Sequence, residues 1–399
     1  MSGDAKAKGL RRLRPAGRST PQFWLLVATV AALVLLGLVM TFSSSFVRSV
    51  NESGDAFDIF SRQLQWTLLG IPVLGVVACA DYRTLRRWAG PAFAVALLLS
   101  ALVLVPALGH KVSGARRWFL LGPISVQPSE LLKLALPLWV AAVLAGRWSR
   151  LRKGDLHGLL LPAVPGIVLA AALVLAGPDL ETAALIAAVG GVCLYAAGLP
   201  NRVVAFGVGA VAAAGALGIV TSEFRRGRIQ AWLDPMTSAD GYGYQSLQGL
   251  LAMGSGGVFG RGLGQGRGQW LYVPNAHTDF IFAIIGEELG LIGAMSVLGL
   301  FVALAVAGTR TARRAPDPFG RLLAAGITWG LLLQAAINIG SVVGLLPVTG
   351  VTLPLLSSGG SSLLVTMASL GVLMSIARAG QEATPAVTRQ RADSARRTT

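Results

Sequence analysis

The chain has 399 residues, is 54% hydrophobic and only 13% charged, and carries a formal charge of +16. This composition lies outside that of a soluble domain, and its apolar runs lack the period-2 alternation of a membrane barrel strand. The basic residues gather in short loops on alternate sides and in the tails, which reads as positive-inside topology and argues against nucleic-acid binding.

In chain order, ten apolar stretches are long enough to cross a hydrocarbon core of about 30 Å as helices. They are Phe23–Phe42, Leu64–Ala80, Pro91–Leu108, Ser129–Ala145, Gly158–Ala176, Thr182–Leu199, Val203–Val220, Phe280–Ala307, Leu322–Val343 and Ser361–Ile376. The first is longer than a signal-peptide core and lacks a small-residue cleavage site, so it is expected to be retained. With the N-terminus inside, cytoplasmic segments hold about 23 Lys and Arg and outer segments about ten, which places both termini in the cytoplasm. The expected fold is an all-α polytopic membrane protein of ten transmembrane helices. Residues 1–22 form a basic cytoplasmic tail, 23–378 the membrane domain and 379–399 a disordered cytoplasmic tail. The tail bases Lys6 to Arg18 suit anionic lipid headgroups. Cys79 and Cys193 read as small core residues, and the three histidines have no metal-ligand spacing.

Three longer loops fall outside: Ser43–Gln63, Gly109–Pro128 and Thr221–Thr278. The last, residues 221–278, is a large extracytoplasmic loop between helices 7 and 8. It carries Trp232, Tyr242, Tyr244, Trp270 and Tyr272. Its glycine-rich run Met253–Gly268 suits either backbone approach to phosphate or sugar, or a plain surface loop.

Polar clusters mark the outer helix ends. Arg116, Arg117 and Trp118 precede Gln127–Lys133. Ser129 is a candidate N-cap, with Glu130 in the first turn. Lys133 faces Glu130 at i+3, so it either pairs within the helix or serves a carboxylate from another helix. Asp179 and Glu181 open the sixth span, as cap or as site lining. His277, Thr278 and Asp279 precede the eighth, with Glu287 and Glu288 further into apolar sequence. Ionisable groups at membrane depth are costly, so these are functional candidates, although capping would also account for Asp279. His277 reads as an orienting or lining residue, not a metal ligand. The run Pro347–Ser362, with Ser357 and Ser358, interrupts the apolar pattern as non-helical backbone in protein or against a water-filled cavity, or as an ordinary loop. No Walker loop, zinc motif or nucleophile elbow is present. The remaining groups suit general-base activation of a hydroxyl near an anionic leaving group, or a translocation path.

On these motifs the chain resembles the SEDS family (shape, elongation, division and sporulation), which holds the FtsW, RodA and SpoVE proteins. The resemblance covers about residues 20–380, and Phe280–Gly290 is closer to the FtsW branch than to RodA. It implies a peptidoglycan glycosyltransferase that polymerises lipid II, with Asp279 as the essential acid. Trp118, Glu130, Lys133 and Asp179 would line its cavity. The expected mechanism is inverting. Asp279 takes the proton of a sugar 4-hydroxyl, undecaprenyl pyrophosphate leaves, and Arg116, Arg117 and Arg261 or Arg267 hold the pyrophosphate. A divalent cation (Mg or Mn) is compatible with that task, though no spacing proves a metal site. Implied partners are lipid II, the undecaprenyl-pyrophosphate-linked glycan, membrane lipids, a class B penicillin-binding transpeptidase and other divisome proteins. The implied location is the bacterial cytoplasmic membrane, enriched at the septum. Asn275 and Glu181 stand where the family often has Glu and Gly. A lipid II flippase, a RodA-like elongation polymerase and a non-catalytic scaffold are the rival readings.

Overall fold

A computed structural model describes residues 20–112, 115–122, 124–151, 154–236, 241, 243–266, 268, 273–274 and 276–380. The expectations for both tails, Tyr242, Arg267, Trp270, Tyr272 and Asn275 therefore lie outside the described residues, apart from Thr20–Gln22 and Ala379–Gly380.

A helix forms at each apolar stretch. The first, α1 (Pro21–Ser53), starts with Thr20 accepting from the Phe23 amide and Pro21 at its first position. It stops at Gly54, whose φ of 75° is a left-handed conformation that glycine adopts without cost. α1 therefore runs eleven residues past the expected end at Phe42 and absorbs half of the first outer loop. There follow α2 (Asp58–Cys79), α3 (Leu85–Leu102) and α4 (Pro128–Gly146). Next come the short α5 (Trp148–Leu151), α6 (Leu156–Ala176), α7 (Leu180–Ala196) and α8 (Asn201–Val220).

The outer loops are not structureless. Between α3 and α4 lie β1 (His110–Val112), β2 (Ala115–Leu121) and β3 (Ile124–Val126), an antiparallel sheet in the order β1-β2-β3. The register pairs His110 with Trp118 and Phe119 with Val126. These strands are too short for an alternation pattern to stand out in sequence. The large loop contains α9 (Glu223–Leu233) and α10 (Tyr244–Ser255). The eighth apolar stretch is divided into α11 (Ile281–Glu288) and α12 (Gly290–Arg314), with Gly290 at φ 67°. Two last helices, α13 (Pro318–Val342) and α14 (Gly360–Ala379), complete the chain.

Among the described residues, eight helices are long and apolar enough to cross a membrane by length and composition. α2 does not meet that measure, and α7 is a shorter apolar helix of 17 residues. The protein is a polytopic, predominantly helical membrane protein. α13 and α14 form its centre: α14 packs on α2, while α13 touches α4, α7 and α12. Small residues allow close approach there, and a Cβ on Gly326 would lie 2.6 Å from Cys193 Sγ and 2.8 Å from Pro137 Cβ. α8, by contrast, has no buried residue and touches the rest of the bundle mainly through α7 and α9.

Candidate active site

The start of α4, the start of α7, the turn before α11 and the Pro347–Gly360 segment all fall at the same end of the bundle, because successive helices alternate in direction. The β-sheet brings the two arginines to this end. Arg117 lies 3.3 Å from Asp179 Oδ2 and donates to the carbonyls of Gly177 and Pro178 at 3.1 and 2.7 Å. Asp179 Oδ1 accepts from the Thr182 amide at 3.1 Å, so this acid is both a helix cap and an ion-pair partner. Gln127 adds a 3.4 Å bond to its other oxygen. Arg116 and Arg117 both line a cleft between α3, α4 and α6, together with Ser129 and Asp179, but Arg116 is bonded differently. Its buried Nε and the buried Ser129 hydroxyl have no hydrogen-bond partner among the described residues. The expected capping role of Ser129 is not realised. Gln127 is the N-cap, Pro128 takes the first helical position, and no side chain caps α4. Trp118 is half-buried on β2.

Lys133 makes an ion pair with Glu130 at 2.7 Å and donates to Gln334 Oε1 at 3.0 Å. The pair is nearly buried and lines a small cavity with Gln334, Thr366 and Ser369. Lys133 thus serves its own helix and α13, and no ion pair joins it to Asp279 among the described residues. Gln334 continues the network by donating to the Thr352 carbonyl at 2.9 Å.

Asp279 sits in the turn before α11, outside the helices that cross the membrane. Phe280 is the N-cap, with no side-chain cap bond, so the Asp279 carboxylate is not spent on capping. The turn is pinned from several sides. Asn338 donates to the Asp279 carbonyl at 2.9 Å and to the Val351 carbonyl at 2.8 Å. Ser357 donates to the Thr278 carbonyl at 2.7 Å, and the Ser358 amide to the His277 carbonyl at 2.9 Å. The Pro347–Gly360 run is therefore ordered, non-helical backbone folded against the acidic turn. Gly350 approaches closely, and a Cβ there would lie 3.9 Å from Asp279 Oδ2. Burial raises the Asp279 carboxyl to about 6, the charge of Arg228 opposes this, and that of Glu181 adds to it. Burial and then Arg48 lower His277 to about 4, so its ring is neutral at ordinary pH. Its buried Nδ1 has no partner among the described residues.

Glu287 and Glu288 have a different setting. Both are fully buried. Glu287 accepts from the Gly268 amide at 3.0 Å, and Glu288 from the Ser43 hydroxyl at 2.6 and 2.8 Å. Ser43 in turn accepts from the Gly264 amide at 3.1 Å. These acids anchor the glycine-rich run to α11 and α1. Arg261 is turned to the Ser255 carbonyl at 3.2 Å.

Three residues that sequence reasoning passed over belong here: Arg228, Gln334 and Asn338. The last two are polar at i,i+4 on one face of an otherwise apolar helix, a signal that was present. Arg228, one of three arginines in α9, had no such mark. Among the described residues no group of three His, Cys, Asp or Glu is placed to hold a metal.

The fold and this cleft define an integral membrane protein that gathers paired charges, hydroxyls and one uncapped acid at one end of a helix bundle. The chain belongs to the FtsW/RodA/SpoVE family, whose model, described as cell cycle protein, matches residues 23–382. Over 383 residues it is 44% identical to the probable peptidoglycan glycosyltransferase FtsW of Mycobacterium tuberculosis, covering 96% of this chain and 72% of that protein. It is 38% identical to the stage V sporulation protein E of Bacillus subtilis, over 90% of this chain and 98% of the relative. Among solved structures it is similar to a chain of a peptidoglycan synthase complex studied for the structural coordination of polymerization and crosslinking. That similarity has a TM-score of 0.74 and 32% identity, and covers 90% of this chain and 98% of the other. It also resembles the rod shape determining protein RodA of Thermus thermophilus, with a TM-score of 0.66 and 32% identity over 90% of this chain and 97% of that one.

Proposed function

We propose that this peptidoglycan glycosyltransferase of the cytoplasmic membrane polymerises lipid II at the outer face during division, with Asp279 as general base. The observation that carries the reading is Asp279 itself: a partly buried acid at a helix mouth with no capping role and a carboxyl raised to about 6. A base is most effective when its pKa lies near the working pH. In this reading Asp279 removes the proton of the acceptor 4-hydroxyl as that oxygen attacks the donor anomeric carbon, which inverts. Undecaprenyl pyrophosphate leaves with the bonding electron pair. Arg116 is the better placed of the two hairpin arginines to meet the pyrophosphate, because Arg117 is committed to Asp179 and two carbonyls. Lys133 and Glu130 form the floor beneath, and His277, Thr278, Ser357 and Ser358 shape the turn. Glu287 and Glu288 act through the glycine-rich run and not on substrate.

The test is polymerisation of lipid II by the purified full chain across pH. The base must be ionised, so the rate should fall roughly tenfold per unit as pH drops below about 6 and level off above it. A polymerisation rate independent of pH through this window would remove Asp279 as the base, and no polymer at all with lipid II bound would favour the flippase reading.

The same reading has ten spans, both tails in the cytoplasm and enrichment at the septum. A class B penicillin-binding transpeptidase and other divisome proteins are its partners. The similarity to a chain from a peptidoglycan synthase complex supports the first partner. Topology is open to single-cysteine labelling: a cysteine at Gly241 should react with an impermeant reagent from outside, and one at Arg150 should be protected. The reverse pattern would invert the orientation.

A further inference from the structure

We propose that the cleft between α3, α4 and α6 is a seat for polyprenyl pyrophosphate: Arg116 and the Ser129 hydroxyl meet phosphate oxygens, and the prenyl chain lies along the aliphatic walls. For the identity of the lipid the inference rests on the proposed lipid II substrate. It does not rest on the role of Asp279.

The cleft holds two polar atoms that the protein does not satisfy. Ser129 is 7% exposed. Its hydroxyl and the Arg116 Nε are both buried without a hydrogen-bond partner among the described residues, and both residues line this cleft. A buried polar group left unpaired is costly. The guanidinium can only donate and the hydroxyl is free to donate, so a group with acceptor oxygens satisfies both. Ser129 also stands in the first turn of α4, the positive end of the helix.

The charge calls for an anion. Arg117 is balanced by Asp179 at 3.3 Å, and that carboxylate is further taken by Gln127 and the Thr182 amide. Arg116 has no ion pair among the described residues. Lys111 on β1 stands directly opposite it and is exposed. Directly opposed residues share a face of the sheet, and like charges there repel one another. The place of Arg116 is fixed by close packing. A Cβ on Gly109 would lie 2.8 Å from Arg116 Cγ, and one on Gly177 would lie 3.4 Å from the Arg116 carbonyl.

The rest of the cleft is hydrocarbon. Val103 and Leu104 wall it from the end of α3, and Leu173 and Val174 from α6. Val105 and Leu175, beside them in sequence, are exposed apolar side chains, so the walls continue onto an apolar flank. A water-soluble anion makes no use of such walls, whereas a lipid phosphate uses both parts. The two donors are closed to water, so a phosphate reaches them as the half-buried side chains of Leu104 and Leu173 turn aside. A pyrophosphate has oxygens for the buried donors and a second phosphate for Lys111 on the exposed side.

The experiment measures binding to the purified full chain in phosphatidylcholine nanodiscs. The probes are undecaprenyl pyrophosphate, phosphatidylglycerol and inorganic pyrophosphate. Ser129→Ala and Arg116→Gln should each weaken undecaprenyl pyrophosphate by about tenfold, the effect of a lost hydrogen bond to a charged group. Arg116→Lys should recover only part, because an ammonium restores the charge but not the Nε donor. Leu173→Trp, which fills the hydrocarbon track, should also weaken the lipid. Unchanged affinity in Ser129→Ala and Arg116→Gln overturns the proposal. So does inorganic pyrophosphate or phosphatidylglycerol binding as tightly as undecaprenyl pyrophosphate. If Arg116→Gln does not fold, Ser129→Ala decides in the same way. Asp279→Asn should bind the lipid like the wild type. If that variant polymerises normally while Ser129→Ala binds weakly, the base reading fails and the seat stands. An inactive Asp279→Asn with unaltered binding in Ser129→Ala removes the seat alone.

Discussion

Asp279→Asn is expected to lower glycan polymerisation by about two orders of magnitude or more while folding and membrane insertion survive. The structure sharpens this expectation. Asn is an equally good cap, but Asp279 makes no cap bond, so the substitution removes nothing that holds α11. The main-chain contacts of the turn, from Asn338, Ser357 and Ser358, do not involve the carboxylate and should persist. What changes is the ability to accept a proton. Asp279→Glu moves the carboxylate by about 1 Å, a displacement that can itself cost roughly a hundredfold. The measurement is polymer length and rate on gels, from variants matched in melting behaviour, with lipid II binding as a control. Near-normal polymer from the Asn variant would remove Asp279 from the mechanism.

The second large effect is expected at Lys133. Lys133→Ala leaves Glu130 buried without its cation, and breaking such a pair from one side typically costs about 3–5 kcal/mol. The loss should appear as a much lower melting temperature in detergent. Replacing both partners at once, as Glu130→Leu with Lys133→Met, should recover most of the stability, because an apolar pair of similar volume carries no desolvation cost. Activity separates the roles. A stable but inactive double variant would mean the cavity charges act on substrate, and a stable, active one would make them scaffold only. A Lys133→Ala protein that melts like the wild type would contradict the ion pair.

Much of this site was legible in the sequence because polar residues are conspicuous in apolar surroundings. Asp179, Glu130, Lys133 and the His277–Asp279 turn could all be picked out by their cost at membrane depth. The partners could not. Spacing alone left Lys133 free to serve Glu130 or an acid elsewhere, and the structure chooses Glu130 and Gln334. Glu287 and Glu288 stand close to Asp279 in sequence, yet they belong to the packing of a loop, since nearness along a helix does not fix what faces it. The α1 boundary was missed for a related reason. Ser43, Ser44, Ser45 and Ser49 look like a loop by composition, but all are buried within the helix.

The junction between α11 and α12 has a mechanical meaning. Where the helix is interrupted, the amides of Arg261 and Gly262 donate to the carbonyls of Glu287 and Glu288 at 3.0 Å. In the other direction, Leu291 and Ile292 donate to the carbonyls of Gly257 and Val258 at 2.9 and 3.2 Å. The glycine-rich run thus replaces the missing turn on both sides, satisfying ends that a break would otherwise leave bare. It can do so because glycine stands at the points of closest approach: a Cβ on Gly260 would strike the Glu288 carbonyl, and one on Gly256 the Gly286 carbonyl. Glycines are commonly taken as a hinge, but here they form a weld. α11, with the Asp279 turn directly ahead of it, is thereby tied through the run to α12, and the two half-helices behave as one continuous piece.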